Sequence, residues 1–220
     1  MSSAVRFVAL GDSYTIGTSV AEGDRWPNQL VRMLGPDLLE LTANLGVNGY
    51  TSVDVLEFEL PALERLRPEF VSLLVGVNDV VQAVPAERYH RNLREIFDSL
   101  AAHVDPGRTV VVTTPDYTAT PHGGDYGDRA KQRAGILRNN AIMAGMARER
   151  GIRVVDIFDI SKLGAFFART SGCAFVPSTG NFVRTGCPVK LTMLPSSRAY
   201  NRFVVFSGCT SFTLMAWRIA

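Results

Sequence analysis

The stretch Val5-Arg6-Phe7-Val8-Ala9-Leu10-Gly11-Asp12-Ser13-Tyr14 decides how this chain is read. Its first six residues are a short apolar-rich run, which predicts a buried first strand. Gly11, Asp12 and Ser13 follow at once, residue types that form tight turns. A serine at the exit of a first strand stands where an open α/β sheet keeps its reactive groups, outside the carboxyl ends of its strands. Such a serine becomes a nucleophile when a base reaches it and donors await the oxyanion.

On either side of that turn, strand and helix patterns alternate up to Ser161. Strands are predicted at Val5–Leu10, Leu38–Asn44, Phe70–Val75, Thr109–Thr114 and Ile152–Phe158. Helices are predicted at Trp26–Leu34, Val53–Leu66, Ala86–His103 and Arg129–Arg150. Val53, Leu56, Leu60, Leu63 and Leu66 lie at helical spacing, as do Tyr89, Leu93, Ile96, Phe97 and Leu100. Pro115–Asp128, rich in Gly, Pro, Thr, Asp and Tyr, reads as a long loop. The alternation gives an α/β domain over residues 1–161: a doubly wound, parallel five-stranded sheet in the order 2-1-3-4-5, with helices on both faces.

In a parallel sheet, the loops leaving the strands at their carboxyl ends emerge on one edge. Three of them carry polar turns: Gly11-Asp12-Ser13, Asn44-Leu45-Gly46-Val47-Asn48-Gly49-Tyr50-Thr51 and Gly76-Val77-Asn78-Asp79. Taken singly, each has a plain structural reading. Ser13 is a helix N-cap, Gly46 and Gly49 allow positive φ, and Asn78-Asp79 caps the next helix. Taken together and in order, they supply a hydroxyl and a set of oxyanion donors: the N–H groups of Ser13 and Gly49 and the Asn78 amide. Tyr14, Tyr50, Val80 and the Tyr117–Tyr126 loop are the expected pocket walls.

These three ordered blocks resemble those of the GDSL, or SGNH, hydrolases, and Arg25-Trp26-Pro27 matches a further local feature of that family. The resemblance covers residues 5 to about 161. It implies a flavodoxin-like α/β/α fold and serine ester hydrolysis through an acyl-serine intermediate, with Ser13 as nucleophile and Gly49 and Asn78 completing the oxyanion hole. It implies a small-molecule ester as substrate and no metal or organic cofactor. The family's last block is an Asp-x-x-His near the C-terminus, whose histidine is the base and whose aspartate orients it. This chain has no such block.

The histidines are His90, His103 and His122 alone. The first two fall within or at the end of a predicted helix. His122 lies in the loop after the fourth strand, on the correct edge, with Asp116 and Asp125 nearby, and is the alternative base. Either the chain hydrolyses esters with a displaced base, or it is a relative that keeps the pocket without catalysis. A flavodoxin-like nucleotide binder is a third reading, weakened because the first strand–helix turn has no Gly-x-Gly-x-x-Gly or P-loop pattern.

Charge divides the chain at the same place. Up to Ser161 there are 16 Lys and Arg against all 21 acidic residues; from Lys162 there are seven Lys and Arg and no acid. Cys173, Cys187 and Cys209 all lie in that tail, at spacings that match no zinc pattern. Residues 162–220 are therefore read as an atypical, irregular tail in place of the usual catalytic-histidine loop and closing helix, with Leu163–Ala168 and Phe203–Phe206 its only short elements. A reading-frame shift near residues 161–163 would account for all these changes; a diverged natural tail is the rival account. A net charge of +2 argues against nucleic acid as partner. No apolar run approaches a membrane span, and no signal-peptide pattern opens the chain, which reads as cytoplasmic.

Overall fold

A computed structural model describes residues 3–18, 20–120 and 122–159 with their side chains, and beyond them the backbone of five short strands. The five-stranded sheet has the order β2-β1-β3-β4-β5, and every neighbouring pair in it is parallel. Its strands are β1 (Val5–Gly11), β2 (Leu39–Asn44), β3 (Phe70–Leu74), β4 (Thr109–Val112) and β5 (Arg153–Val155). β3 and β4 are buried at every position, as parallel strands covered on both faces must be.

One face of the sheet packs α2 (Trp26–Leu34), whose Trp26 and Leu30 meet Phe7, Ala9, Phe70 and Val110. The other face packs α6 (Ala86–His103) and α7 (Arg129–Glu149). There Leu93, Ile96, Phe97, Leu100 and Met143 cover Val8, Leu10, Val71, Leu73 and Val111. Leu93, Ile96, Phe97 and Leu100 are four of the five residues expected on that face of α6; the fifth, Tyr89, joins them in the same cluster.

The helix expected over Val53–Leu66 is a composite. α3 (Ser52–Asp54) passes through a π-helical segment (Val55–Glu59) and a 3-10 turn (Leu60–Ala62) into α4 (Leu63–Leu66). The wide π turn changes which side chains face inward. Val55 and Glu59 are buried, whereas Val53 and Leu56, expected in the core, are only half-buried. Two short helices had no periodic signal: α1 (Ser13–Ile16) and α5 (Val77–Val81), each following directly on a strand-end turn.

The strands after the midpoint are shorter than expected because side chains take over their backbone partners. Asn140 on α7 accepts from the Thr114 N–H at 2.9 Å and donates to the Thr114 carbonyl at 2.8 Å, so the ladder goes no further than the Thr113 N–H, which donates to the Val155 carbonyl at 3.0 Å. Asp156 accepts from Thr113 Oγ1 at 2.8 Å and from the Phe158 N–H at 3.0 Å, which turns the chain after β5. Both Asn140–Thr114 bonds are buried, so Asn140→Ala strands a backbone donor and an acceptor. The expected cost is about 2–4 kcal/mol, a melting temperature lower by roughly 5–10 °C in a thermal unfolding scan.

Residues 115–120 and 122–128 form the expected loop around one 3-10 turn (Tyr117–Ala119), but it is strapped down. Arg129 donates to the carbonyls of Thr118 at 2.6 Å and Thr120 at 2.7 Å. Arg133 pairs with the buried Asp116 at 3.1 Å, and Gln132 accepts from the Tyr117 hydroxyl at 2.9 Å and donates to the Tyr126 carbonyl at 2.9 Å. Past Asp159, β6 (Ala174–Val176) pairs antiparallel with β7 (Asn181–Val183). β8 (Lys190–Met193), β9 (Arg202–Ser207) and β10 (Leu214–Trp217) form an antiparallel sheet with β9 central. Phe203–Phe206 falls within β9, and Leu163–Ala168 lies outside the described residues. No helix among the described residues is long and apolar enough to cross a membrane.

Candidate active site

Asp12, not Ser13, caps the first short helix. Its Oδ1 accepts from the Tyr14 N–H at 2.9 Å, and its carbonyl accepts from Thr15 and Ile16, both at 3.0 Å. Ser13 is thus the first helical residue, a position whose N–H has no acceptor within the helix. Its Oγ makes no hydrogen bond to any described residue.

The second turn is locked against the first. Asn44 donates to the Thr15 carbonyl at 2.9 Å and accepts from the Gly46 N–H at 3.2 Å, while Val47 donates to the Gly11 carbonyl at 3.2 Å. Gly46 is required by crowding and not by positive φ: a Cβ there would lie 2.8 Å from Ile16 N and 2.9 Å from the Asp12 carbonyl. Gly49 does have positive φ, +87°, with open space around it.

The third turn closes on the second. Asn78 sits inside α5, with Gly76 as its N-cap, and donates through Nδ2 to the Tyr50 carbonyl at 2.8 Å. Gln82, one turn on, donates to the Gly49 carbonyl at 3.0 Å. Asp79 is wholly buried and accepts from the Ser52 N–H at 3.0 Å and from the Ser52 hydroxyl, which in turn accepts from Asn92 at 2.8 Å.

Ser13 and Asn78 line one cavity of about 70 Å³, with Asn48, Tyr14, Tyr117 and Tyr126 around them and Val77 and Val81 as apolar wall. Tyr117 is held edge-on by Tyr126, ring centroids 5.5 Å apart. Two expected walls are elsewhere. Tyr50 faces Phe58, and Val80 packs into the space left by Gly135 on α7. Gly49 flanks Asn48, on the exposed rim.

The histidines do not join this cluster. His122 Nδ1 lies 3.1 Å from Asp125 Oδ2, both side chains are more than 60% exposed, and neither lines the cavity. His90 is exposed on α6, and the exposed His103 holds the Ser99 carbonyl at 2.8 Å through Nδ1.

Beneath the turns lies a group of buried carboxyls that sequence reading missed. Burial pushes Asp12 from its ordinary 3.8 up to about 8, against the Tyr14 N–H bond, and the nearby Asp79 adds to the rise. Burial likewise pushes Glu59 from 4.5 up to about 9, and raises Asp79. Helical spacing sets Glu59 on the apolar face, three residues after Leu56 and four before Leu63, but its charged residue type argues for solvent. Asn139 and Asn140 carried a signal: two adjacent amides in the middle of a long helix, both buried and bonded to backbone at the ends of β3 and β4.

Residues 9–173 match the model of the GDSL-like lipase/acylhydrolase family. The chain belongs to that family. Among solved structures, GDSL-type and related hydrolases share its fold. A protein assigned as lipolytic, of the G-D-S-L family, from Desulfitobacterium hafniense DCB-2 is 21% identical, with a TM-score of 0.55 over 69% of this chain and 77% of that one. LAE5, an alpha/beta hydrolase from the metagenome of Lake Arreo, is 20% identical, with a TM-score of 0.57 over 74% and 82%. Axe2, an acetylxylan esterase from Geobacillus stearothermophilus, is 18% identical, with a TM-score of 0.58 over 74% and 80%. Two further structures of Axe2 are catalytic mutants, one at an aspartate and one at a histidine three positions later. No curated protein sequence matches the chain. For a GDSL-like acylhydrolase, the serine of the motif is Ser13, here on the wall of the cavity.

Proposed function

We propose that this chain is a serine ester hydrolase in which Ser13 attacks the acyl carbonyl of a small-molecule ester and carries the acyl group until water releases it. The observation that carries this reading is the shared cavity of Ser13 and Asn78, built by three turns that bond to one another. In the proposed mechanism the tetrahedral oxyanion takes hydrogen bonds from the Ser13 N–H, which has no helical acceptor, from the Gly49 N–H and from Asn78. Asn78 keeps one amide hydrogen for this role while the other holds Tyr50. Donors fixed in this way stabilise the transition state without reorganising. Asp12 shapes the turn; its buried carboxyl is not the orienting acid of a triad.

His122 is the base in this reading. Its Nδ1 already faces a carboxylate, Asp125, which leaves Nε2 for the serine proton, the order in which a triad works. Reaching Ser13 requires the 122–127 turn to fold over the cavity, and its neighbour Tyr126 already lines that cavity. The test is hydrolysis of p-nitrophenyl acetate by the full chain and by His122→Ala. His122→Ala is expected to lower kcat about 100-fold or more, the range of general-base catalysis, with partial rescue by added imidazole. Equal rates in the two proteins would remove His122 from the mechanism.

A second reading has its own observation: no described residue bonds Ser13 Oγ, and no acid or histidine follows Asp159. On that reading the chain keeps the pocket and binds esters without turning them over. The loss would follow from a shifted reading frame near residues 161–163. The gene decides that point: an alternative frame encoding Asp-x-x-His and a helix supports the shift, and its absence refutes it.

A further inference from the structure

Glu59 lies far from the three motif turns in sequence, yet it holds the first of them. Its Oε2 accepts the Gly11 N–H at 2.8 Å, a buried bond between residues 48 positions apart. Gly11 is the last residue of β1 and stands two residues before Ser13. The carboxyl is only 2% exposed, and its second oxygen, Oε1, is buried without a partner among the described residues. It also sits at an irregularity of its helix. The π-helical segment Val55–Glu59 ends on this residue, and such segments recur where a helix must aim a side chain at a functional site. A regular helix with an apolar residue here would be the cheaper structure, since a buried carboxyl with an unsatisfied oxygen costs stability.

We propose that Glu59 is a positioning residue, a neutral carboxylic acid whose bond to the Gly11 N–H holds the Gly11-Asp12-Ser13 turn in the conformation that presents Ser13. The inference rests on the reading of Ser13 as nucleophile. Neutrality follows from the surroundings. The titratable groups that act on Glu59 are Asp12 on the turn and Asp54 on its own helix, both acidic. Beyond Asp12 lie Asp79 on α5 and the Tyr89 hydroxyl on α6, which donates to the Val75 carbonyl. No lysine or arginine pairs with Glu59 among the described residues. A negative charge at Glu59 would sit beside the backbone that must receive a negative oxyanion, so ionisation opposes the reaction as well as the fold.

The sign follows from burial. Because the folded state raises this carboxyl from 4.5 to about 9, its contribution to stability is complete below pH 4.5 and is lost as pH rises to about 9. Glu59→Gln keeps an oxygen acceptor for Gly11 and cannot ionise. Glu59→Leu keeps the bulk and removes the acceptor.

The experiment is a pH titration of the ¹⁵N-labelled full chain by NMR between pH 6 and 10, with amide exchange measured in both variants. The Gly11 amide resonance is expected to titrate near pH 9 in the parent and not in Glu59→Gln. In Glu59→Leu, Gly11 exchange is expected to speed up about tenfold, the factor for one lost hydrogen bond, with Leu73 on β3 unchanged. In turnover of p-nitrophenyl acetate, Glu59→Leu is expected to lose about tenfold in kcat with KM within about threefold. The parental rate is expected to fall above pH 9 as Glu59 ionises, and Glu59→Gln is expected to keep kcat without that fall. A Gly11 amide that does not titrate, or a Glu59→Leu kcat equal to that of the parent, overturns the proposal. Absence of any Ser13-dependent turnover overturns the proposed function instead, and the Gly11 amide then decides the role of Glu59 alone.

Discussion

Ser13→Ala is expected to lower p-nitrophenyl acetate hydrolysis by about 10³-fold or more, while melting within about 2 °C of the parent. The two halves of this expectation have separate causes. The chemical half follows from the loss of the hydroxyl that the proposed mechanism uses to carry the acyl group, on the wall it shares with Asn78. The oxyanion donors alone give residual catalysis, and they act on attacking water without a covalent intermediate. The structural half follows from the hydroxyl's lack of partners. Ser13 is buried to 5% exposure, but its Oγ bonds no described residue, so removing it strands nothing. Asp12 supplies the helix cap, so the turn survives the substitution. Initial rates and a melting curve on the same preparation check both halves. A Ser13→Ala protein that retains the parental rate would remove Ser13 from the chemistry.

Gly11→Ala is expected to be the most damaging single substitution for the fold. Gly11 has φ +142°, a conformation closed to residues with a Cβ, and a Cβ there would collide with the Leu74 carbonyl oxygen and lie 2.6 Å from Thr15 Oγ1. Relaxation is blocked on every side. The Gly11 N–H is held by Glu59, its carbonyl accepts from Val47, and its Cα is in register with Leu74 of β3. The expected loss exceeds about 3 kcal/mol, a melting temperature lower by roughly 10 °C or failure to accumulate folded protein. Gly49→Ala is the internal control. Its φ is also positive, but no atom lies within 4 Å of the added Cβ, so about 1 kcal/mol is expected. A Gly11→Ala protein as stable as Gly49→Ala would mean that the turn is looser than its bonds imply.

Why these residues were or were not legible in the sequence has a physical explanation. The sheet was legible because its strands are buried on both faces and read as short apolar runs, each followed by a periodic helix. Phe70–Leu74 with Ala86–His103 is the plainest case. The convergence of Ser13 and Asn78 was legible because a parallel sheet sends its loops to one edge. Glu59 was hidden by its residue type: helical spacing sets it on the apolar face with Leu56 and Leu63, but a glutamate there argues for solvent. The early end of β4 was hidden because Asn140, far away in sequence, captures the Thr114 backbone, and that of β5 because Asp156 takes the Phe158 N–H in a local turn inside an apolar-rich run. The sequence suggests positive φ at Gly46, whereas its need is space beside Ile16 and Asp12, a contact no local pattern encodes. His122 was placed on the correct edge, but its preference for Asp125 over the cavity is a local pairing that the order of residues does not reveal.

The most direct test of the central claim is to trap the acyl-enzyme. The full chain is mixed with p-nitrophenyl acetate, quenched in acid within the first turnovers and digested with trypsin, and the peptide from Phe7 to Arg25 is sequenced by tandem mass spectrometry. One acetyl group is expected on Ser13, chased away by further incubation in buffer and absent when Ser13 is replaced by alanine. Release of p-nitrophenol with no acetyl on Ser13, or with the acetyl on a lysine such as Lys131, would contradict it.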